Sequence, residues 1–268
     1  MTVMKIGLVG CGNIAAAISR AVQEGALPVT LAALTDVEPA KAEQLKQDQG
    51  LECPVVALED NAARSDFLVE CATGDAVPAV IAAAIQGKCD CLILSLGGLL
   101  SQPELLGQAR KAGVRVRLPS GALCGLDGIR AAREGGLERV TLTTRKPPQG
   151  LSGAPYLMEQ GIDVDGLTEA LTVFEGTALE AVKAFPKNVN VAAALSLAGV
   201  GPEKTAVRVV ADPAAKVNSH EVEAEGAFGR LKTVTENRPS PRNPKTSYLA
   251  SLSAIAELRN TAEAFVSG

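Results

Sequence analysis

The sequence predicts an α/β protein, with a Rossmann-type doubly wound parallel sheet followed by a second, mixed α/β substrate domain. Three observations carry that prediction. A short apolar strand within Met4 to Arg20 runs directly into a glycine-rich turn and an alanine-rich helix. A second apolar strand ends in an acid about 20 residues further on. Strand and helix patterns then alternate as far as Leu118, and alternation of that kind implies parallel strands joined by right-handed crossovers.

The first strand ends at Val9, and Gly10-Cys11-Gly12-Asn13-Ile14-Ala15 follows as G-x-G-x-x-A. Gly10 permits the tight turn, Gly12 lets a pyrophosphate approach the backbone, and small Ala15 packs the helix against the strand. The phosphates are then expected on free amides at the helix start, where Asn13 and Ile14 lie. Val29 to Thr35 is the second strand, and Asp36 closes it where a carboxylate accepts the adenosine ribose hydroxyls. A carboxylate there repels a 2′-phosphate and no arginine follows it directly, so NAD is the expected cofactor, with NADP still open.

Next come a polar helix over 39–49, a short strand over 54–57 and a buried strand over 65–71. A helix over 74–87, a strand over 91–96, a helix over 103–112 and a sixth strand over 114–118 complete the first half. Ligands of such sheets bind beyond the carboxyl ends of the strands. That rule brings Ala72, Thr73, Ser95, Gly97 and Gly98 toward the cofactor, although simple turn chemistry explains the glycines equally well.

At Pro119-Ser120-Gly121-Ala122-Leu123-Cys124-Gly125 the character changes, and small residues open a helix running to Ala132. The expected division is therefore a dinucleotide-binding domain over 1–119, a substrate and catalytic domain over 120–244, and a C-terminal helix over 245–268 returning to the first domain. In the second half strands are expected over 139–145 and 207–211, a hairpin over 220–228 and 230–236, and a helix over 180–199. The last helix is expected over 245–266, with Thr246 as N-cap and Leu249, Leu252, Ile255 and Leu258 on one stripe.

Composition removes several function classes. A net charge of −4, five phenylalanines, two tyrosines and no tryptophan give neither a basic footprint nor a stacking surface for nucleic acid. There is no run of about 18 uncharged apolar residues to span a membrane. With no basic, apolar leader either, the expected compartment is the cytoplasm. The six cysteines are expected to stay reduced and mostly buried, and without a C-x-x-C pair or a histidine cluster no metal is expected.

The chemistry must then come from the second half, which holds the chain's single histidine, His220. Oxidation at a carbon bearing O–H or N–H needs a group that moves a proton near neutral pH, and imidazole does so without a large shift in its pKa. A purely structural histidine is the alternative. Asn218-Ser219-His220 reads as a polar turn beside a strand. Arg145 and Lys146 place two cations at a strand end, suited to a carboxylate substrate or simply solvated. Asn190, at the start of an apolar helix, is a candidate for the nicotinamide carboxamide or, alternatively, a helix cap.

The fingerprint, LPSGALCGLDG, TTRKPP, FPKNVNVAAALSLAG, VNSHEVEAEGAFG and NPKTSYLASLSAIAELR together resemble the L-aspartate dehydrogenase family, in order and over essentially the whole chain. The resemblance implies oxidation of L-aspartate by NAD(P) to iminosuccinate, which hydrolyses to oxaloacetate and ammonia or feeds NAD biosynthesis. It also implies a homodimer. The family's active-site histidine falls on His220, and its cofactor-contacting asparagine falls on Asn190. A further cofactor contact in the S-G-A-x-x-G turn, near Ala122, maps to Cys124, where alanine is expected in many relatives. Arg145, Lys146 and the amides near Ser120 would hold the substrate carboxylates. Two other readings stay open: a semialdehyde dehydrogenase with Cys124 as nucleophile, and a non-catalytic NAD-sensing protein.

Overall fold

The structure is a computed structural model that describes residues 3–185, 190–241 and 243–263. The chain folds as two compact units, Met1–Pro119 with Ser251–Gly268, and Ser120–Ala250. No helix among the described residues is long and apolar enough to cross a membrane.

In the first unit, β1 (Met4–Val9), α1 (Asn13–Gln23), β2 (Val29–Thr35) and α2 (Pro39–Gln49) follow the expected order. Proline opens α2, and Gly50, left-handed at φ +61°, closes it by returning its amide to Gln47. Then come α3 (Leu58–Arg64), β3 (Phe67–Glu70), α4 (Val77–Gly87), β4 (Asp90–Ile93), α5 (Leu96–Ser101), α6 (Glu104–Lys111) and β5 (Val116–Arg117). The sheet is parallel with order β2-β1-β3-β4-β5, so the crossovers leave β1 toward β2 on one side and β3 on the other. A switch of that kind opens a crevice at the carboxyl ends of the strands.

This sheet has five strands rather than six. The expected strand over 54–57 makes only an isolated bridge, Val55 with Leu34, because the chain turns at once into α3. Helix α3 was not anticipated: LEDNAAR carries few apolar residues, yet its Asn61 is fully buried and donates to the Leu8 carbonyl and the Thr35 hydroxyl. Ile6, Leu8, Phe67, Leu68, Leu92 and Ile93 are almost fully buried in the middle strands. Each such side chain contributes about 1.5–3 kcal/mol of transfer free energy.

The second unit contains α7 (Leu126–Glu134), β6 (Leu137–Lys146), α8 (Pro155–Glu159), β7 (Leu171–Thr177), α9 (Ala178–Ala184) and α10 (Asn190–Ala198). It continues with β8 (Thr205–Ala211), β9 (Asn218–Gly226), β10 (Gly229–Asn237), β11 (Pro239–Ser240) and β12 (Asn243–Ser247). The five-stranded sheet has order β10-β9-β6-β8-β7, and only β6 and β8 run parallel. The helix expected over 180–199 is two helices. Thr177 and Glu180 form a capping box that starts α9, and residues 186–189, part of that expectation, lie outside the described residues.

Alternation along β6 and β9 sorts the side chains by face. Val140, Leu142, Thr144, Lys146, His220, Val222 and Ala224 are buried, while Arg139, Thr141, Glu221, Glu223 and Glu225 point the other way. The second face carries ion pairs such as Arg230 with Glu223 and Lys232 with Glu221. Partly exposed pairs of that kind contribute little to stability.

The final helix, α11, spans Tyr248–Ala262 and starts three residues later than the expected 245–266, of which residues 264–266 lie outside the described residues. Thr246 lies within β12 and is therefore not its N-cap. The buried stripe is also rotated from the expected one. Ala254 and Leu258 join the core of Ile6, Leu8 and Leu34, whereas Leu249 and Leu252 are exposed. Ser251, Ser253 and Ala254 are buried with Leu258, small residues that a count of large apolar side chains overlooks.

Candidate functional site

At the end of β1, Gly10 adopts φ +91° and its amide donates to the Thr35 carbonyl at 2.8 Å. A Cβ there would stand 2.6 Å from the Ala72 Cα, so both the dihedral and the spacing demand glycine. Gly12 is exposed, with nothing within 4 Å of a Cβ built on it, and no side chain caps α1. Asn13 and Ile14 are half-buried in the first turn and Ala15 is fully buried, as the strand–helix contact requires. Asp36, half-buried at the end of β2, accepts from the Cys11 amide at 2.7 Å and the Glu38 amide at 2.9 Å. An open helix start, a glycine approach and a fixed acid make a cradle that fits a dinucleotide.

Ala72 and Thr73 are exposed just past β3, and Ser95 is half-buried past β4. Gly97 and Gly98 do not form a turn but lie in the first turn of α5. A Cβ on Gly98 would meet the Gly74 carbonyl at 2.5 Å, which explains the glycine by close backbone approach. Sequence reasoning missed Glu70. Fully buried at the end of β3, it accepts from the amides of Ala72, Leu94 and Ser95 at 2.8, 3.0 and 2.8 Å, and from the Ser95 hydroxyl at 2.9 Å. Burial pushes its carboxyl up from the ordinary range, and those donors pull it back. The available signal was an acid closing an otherwise apolar strand and followed by small residues.

In the second unit, His220 is buried inside β9 rather than in a turn, paired with Thr144 on β6 and Thr235 on β10. Its Nδ1 lies 3.1 Å from the Thr144 hydroxyl oxygen. Lys146, two residues along, is buried on the same face. Arg145 is not. Alternation turns it to the opposite face, where it pairs with Asp212 at 2.7 Å, so the two cations expected to act together do not share a face. A small cavity of about 10 Å³ is lined by Thr144, Lys146, Leu142, Phe185 and Val209 among others.

The Ser120 to Cys124 segment is a turn, and the helix begins only at Leu126. Half-buried Ser120 opens it, the buried Ala122 carbonyl accepts from the Thr235 hydroxyl at 2.9 Å and the Asn237 amide at 3.1 Å, and the Cys124 carbonyl accepts from Thr233. Strand β10 therefore ties this turn to the strand that carries His220. Asn190 is exposed at the start of α10. All six cysteines are free. Burial pushes Cys11 and Cys91 up to about 12 and Cys89 up to about 11, far from thiolate reactivity, whereas Cys124 is exposed. Among the described residues no cluster of His, Cys, Asp or Glu could hold a metal ion.

Burial, followed by the Lys146 charge, lowers His220 from its ordinary 6.5 to about 3. Burial lowers Lys146 to about 8. The imidazole thus departs far from its ordinary basicity, contrary to the expectation of little shift. Between about pH 3 and pH 6.5 the unfolded chain holds a His220 proton that the native state refuses, so stability rises with pH there and is lost on acidification. Lys146 acts in its own window, above about pH 8. From pH 7 to pH 5 the parent protein is expected to lose about 2 kcal/mol that His220→Gln retains. Urea unfolding at both pH values checks this; equal losses would contradict it.

Two family models match this chain. "Aspartate dehydrogenase, C-terminal" matches residues 127–261, and "Homoserine dehydrogenase, NAD binding domain" matches residues 10–119. The chain is 47% identical over 260 residues to an L-aspartate dehydrogenase of Methanosarcina mazei, covering 96% of each. It is 41% identical to one of Bradyrhizobium diazoefficiens, covering 96% of this chain and 91% of that one. The crystal structure of an aspartate dehydrogenase from Thermotoga maritima aligns over 100% of both chains, with TM-score 0.73 and 26% identity.

Proposed function

The chain belongs to the L-aspartate dehydrogenase family, and from that premise we propose that it oxidises L-aspartate to iminosuccinate with NAD as the preferred cofactor. Membership makes it an NAD(P)-dependent amino-acid dehydrogenase with a nicotinamide cofactor. The product hydrolyses to oxaloacetate and ammonia or feeds NAD biosynthesis. The working form is a homodimer in the cytoplasm.

The observation that carries the mechanism is that the His220 ring and the Lys146 side chain are buried on one face of the second unit's sheet. Lys146 holds a substrate carboxylate, and the turn at Ser120 and Ala122 offers backbone amides to another. In the first unit Gly10, Gly12, Asn13 and Ile14 receive the pyrophosphate, Asp36 the ribose, and Ala72 and Thr73 the nicotinamide end; in the second unit Ala122, Cys124 and Asn190 are the cofactor contacts that the family resemblance implies. The bound nicotinamide supplies an acceptor for the hydride from the substrate Cα.

His220 takes a proton from the substrate ammonium as that hydride leaves with its electron pair, so the C–N bond becomes double and charge balances. Acceptance at Nε2 requires the ring proton on Nδ1, donated to the Thr144 oxygen at 3.1 Å. Water adding to the imine carbon then releases ammonium.

A panel of amino and hydroxy acids with NAD or NADP, followed by reduced-cofactor absorbance, tests this reading. Turnover of L-aspartate alone is expected, and turnover of another acid in its place would overturn it. Asp36→Ala is expected to weaken NAD about tenfold or more while leaving NADP unchanged or improved, since it removes a charged hydrogen-bond acceptor and a charge facing the 2′ position. Fluorescence titration of both cofactors checks this, and equal losses would remove Asp36 from ribose recognition.

A further inference from the structure

Sequence and geometry together leave a chemical difficulty. A buried, neutral imidazole is free to accept a proton, but a ring that resists protonation is a weak base, and the proposed step asks it to deprotonate an ammonium. Something must raise its basicity when substrate arrives.

Among the described residues, the groups around His220 identify that element. Thr144 and Lys146 share its face on β6, Thr235 and Asn237 lie on β10, and Asn218 and Val222 flank it on β9. Of these only Lys146 is charged. Helix α10 carries no titratable residue, the charges of α7 and α9 are exposed, and Glu221 points to the other face. Thr144 is paired directly with His220 across the sheet and Lys146 follows two residues on along the same face, with both His220 and Lys146 more than nine-tenths buried from solvent, where screening is weak and the ammonium disfavours a second positive charge on the ring.

We infer that Lys146 couples substrate binding to the proton chemistry of His220: an anionic carboxylate seated on the ammonium cancels its field and makes the imidazole a better proton acceptor. The inference rests on the proposed reading of Lys146 as a carboxylate ligand and adds a consequence for the neighbouring ring. Without substrate the pair keeps the site unprotonated. A dicarboxylate amino acid therefore activates its own base, and a substrate lacking the carboxylate that meets Lys146 is turned over slowly even when bound.

The single histidine makes the test direct, because every imidazole signal in the NMR spectrum of the full chain belongs to His220. The probe is succinate, a dicarboxylate with no amine to oxidise. In the parent protein saturating succinate is expected to move the ring's titration midpoint up by about one pH unit or more, the usual size of a neighbouring-charge effect. Lys146→Met is expected to raise the midpoint without ligand and to abolish the succinate response, whereas Lys146→Arg keeps both the low midpoint and the response. Succinate shown by calorimetry to bind the parent while its midpoint stays fixed overturns the inference alone. Failure of succinate to bind overturns the carboxylate reading and the inference together. A folded Lys146→Met with an unmoved midpoint also overturns the coupling.

Discussion

His220→Ala is expected to lower kcat by about 100-fold or more and to leave the affinity for NAD nearly unchanged. The magnitude is the ordinary worth of a positioned general acid or base. The specificity of the effect follows from location: the ring lies in the second unit on β9, whereas Gly10, Gly12 and Asp36 all belong to the first. Removing a buried imidazole also leaves the Thr144 hydroxyl without its 3.1 Å partner, so some loss of stability accompanies the loss of rate. His220→Gln separates the two effects, since it refills most of the space and restores a polar neighbour for Thr144 but accepts no proton near neutrality. Steady-state kinetics with L-aspartate, together with direct cofactor titration of each variant, provides the measurement. If kcat survives in the glutamine variant, the histidine is structural.

Local chemistry made the nucleotide half legible. Strand β1, the glycine turn, β2 and Asp36 follow one another within residues 4–36, and the turn, the helix start and the strand-end acid form a local pattern that can be read without distant partners. Features that depend on distant partners were harder to see. Helix α3 is polar on its own and is held by Asn61 reaching β1 and β2. Glu70 resembles any strand-end acid until β4 brings Leu94 and Ser95 to it.

The hairpin expected over 220–228 and 230–236 is present as β9 and β10, but β9 starts two residues earlier, at Asn218, so His220 lies in the strand and not in a turn before it. His220, Val222 and Ala224 alternate with Glu221, Glu223 and Glu225, a period of two that already contained both the strand and the face. The same period separates Arg145 from Lys146. Adjacent residues on a strand share a position in sequence but not a direction, and clamps built from neighbours should be sought at i and i+2. Thr144 and Lys146, at that spacing, share the buried face.

Glu70→Ala is the substitution expected to cost the most stability. The carboxylate links the ends of β3 and β4 by accepting from the Ala72 and Ser95 amides, the Ser95 hydroxyl and the Leu94 amide. Leu94 keeps a second acceptor in the Glu70 carbonyl at 3.3 Å, but the Ala72 and Ser95 amides lose theirs. Two orphaned amides at about 1–3 kcal/mol each, together with an emptied buried site, outweigh the relief of no longer burying an acid. A net loss of about 3 kcal/mol follows, and thermal unfolding should show it as a drop on the order of 10 °C for a domain of this size. Because Ala72 also sets the spacing that forbids a side chain on Gly10, the loosened turn should weaken NAD as well. A variant that unfolds within about 1 kcal/mol of the parent would mean that desolvating the carboxyl had cancelled its four hydrogen bonds, and that the strand ends are held by backbone pairing alone.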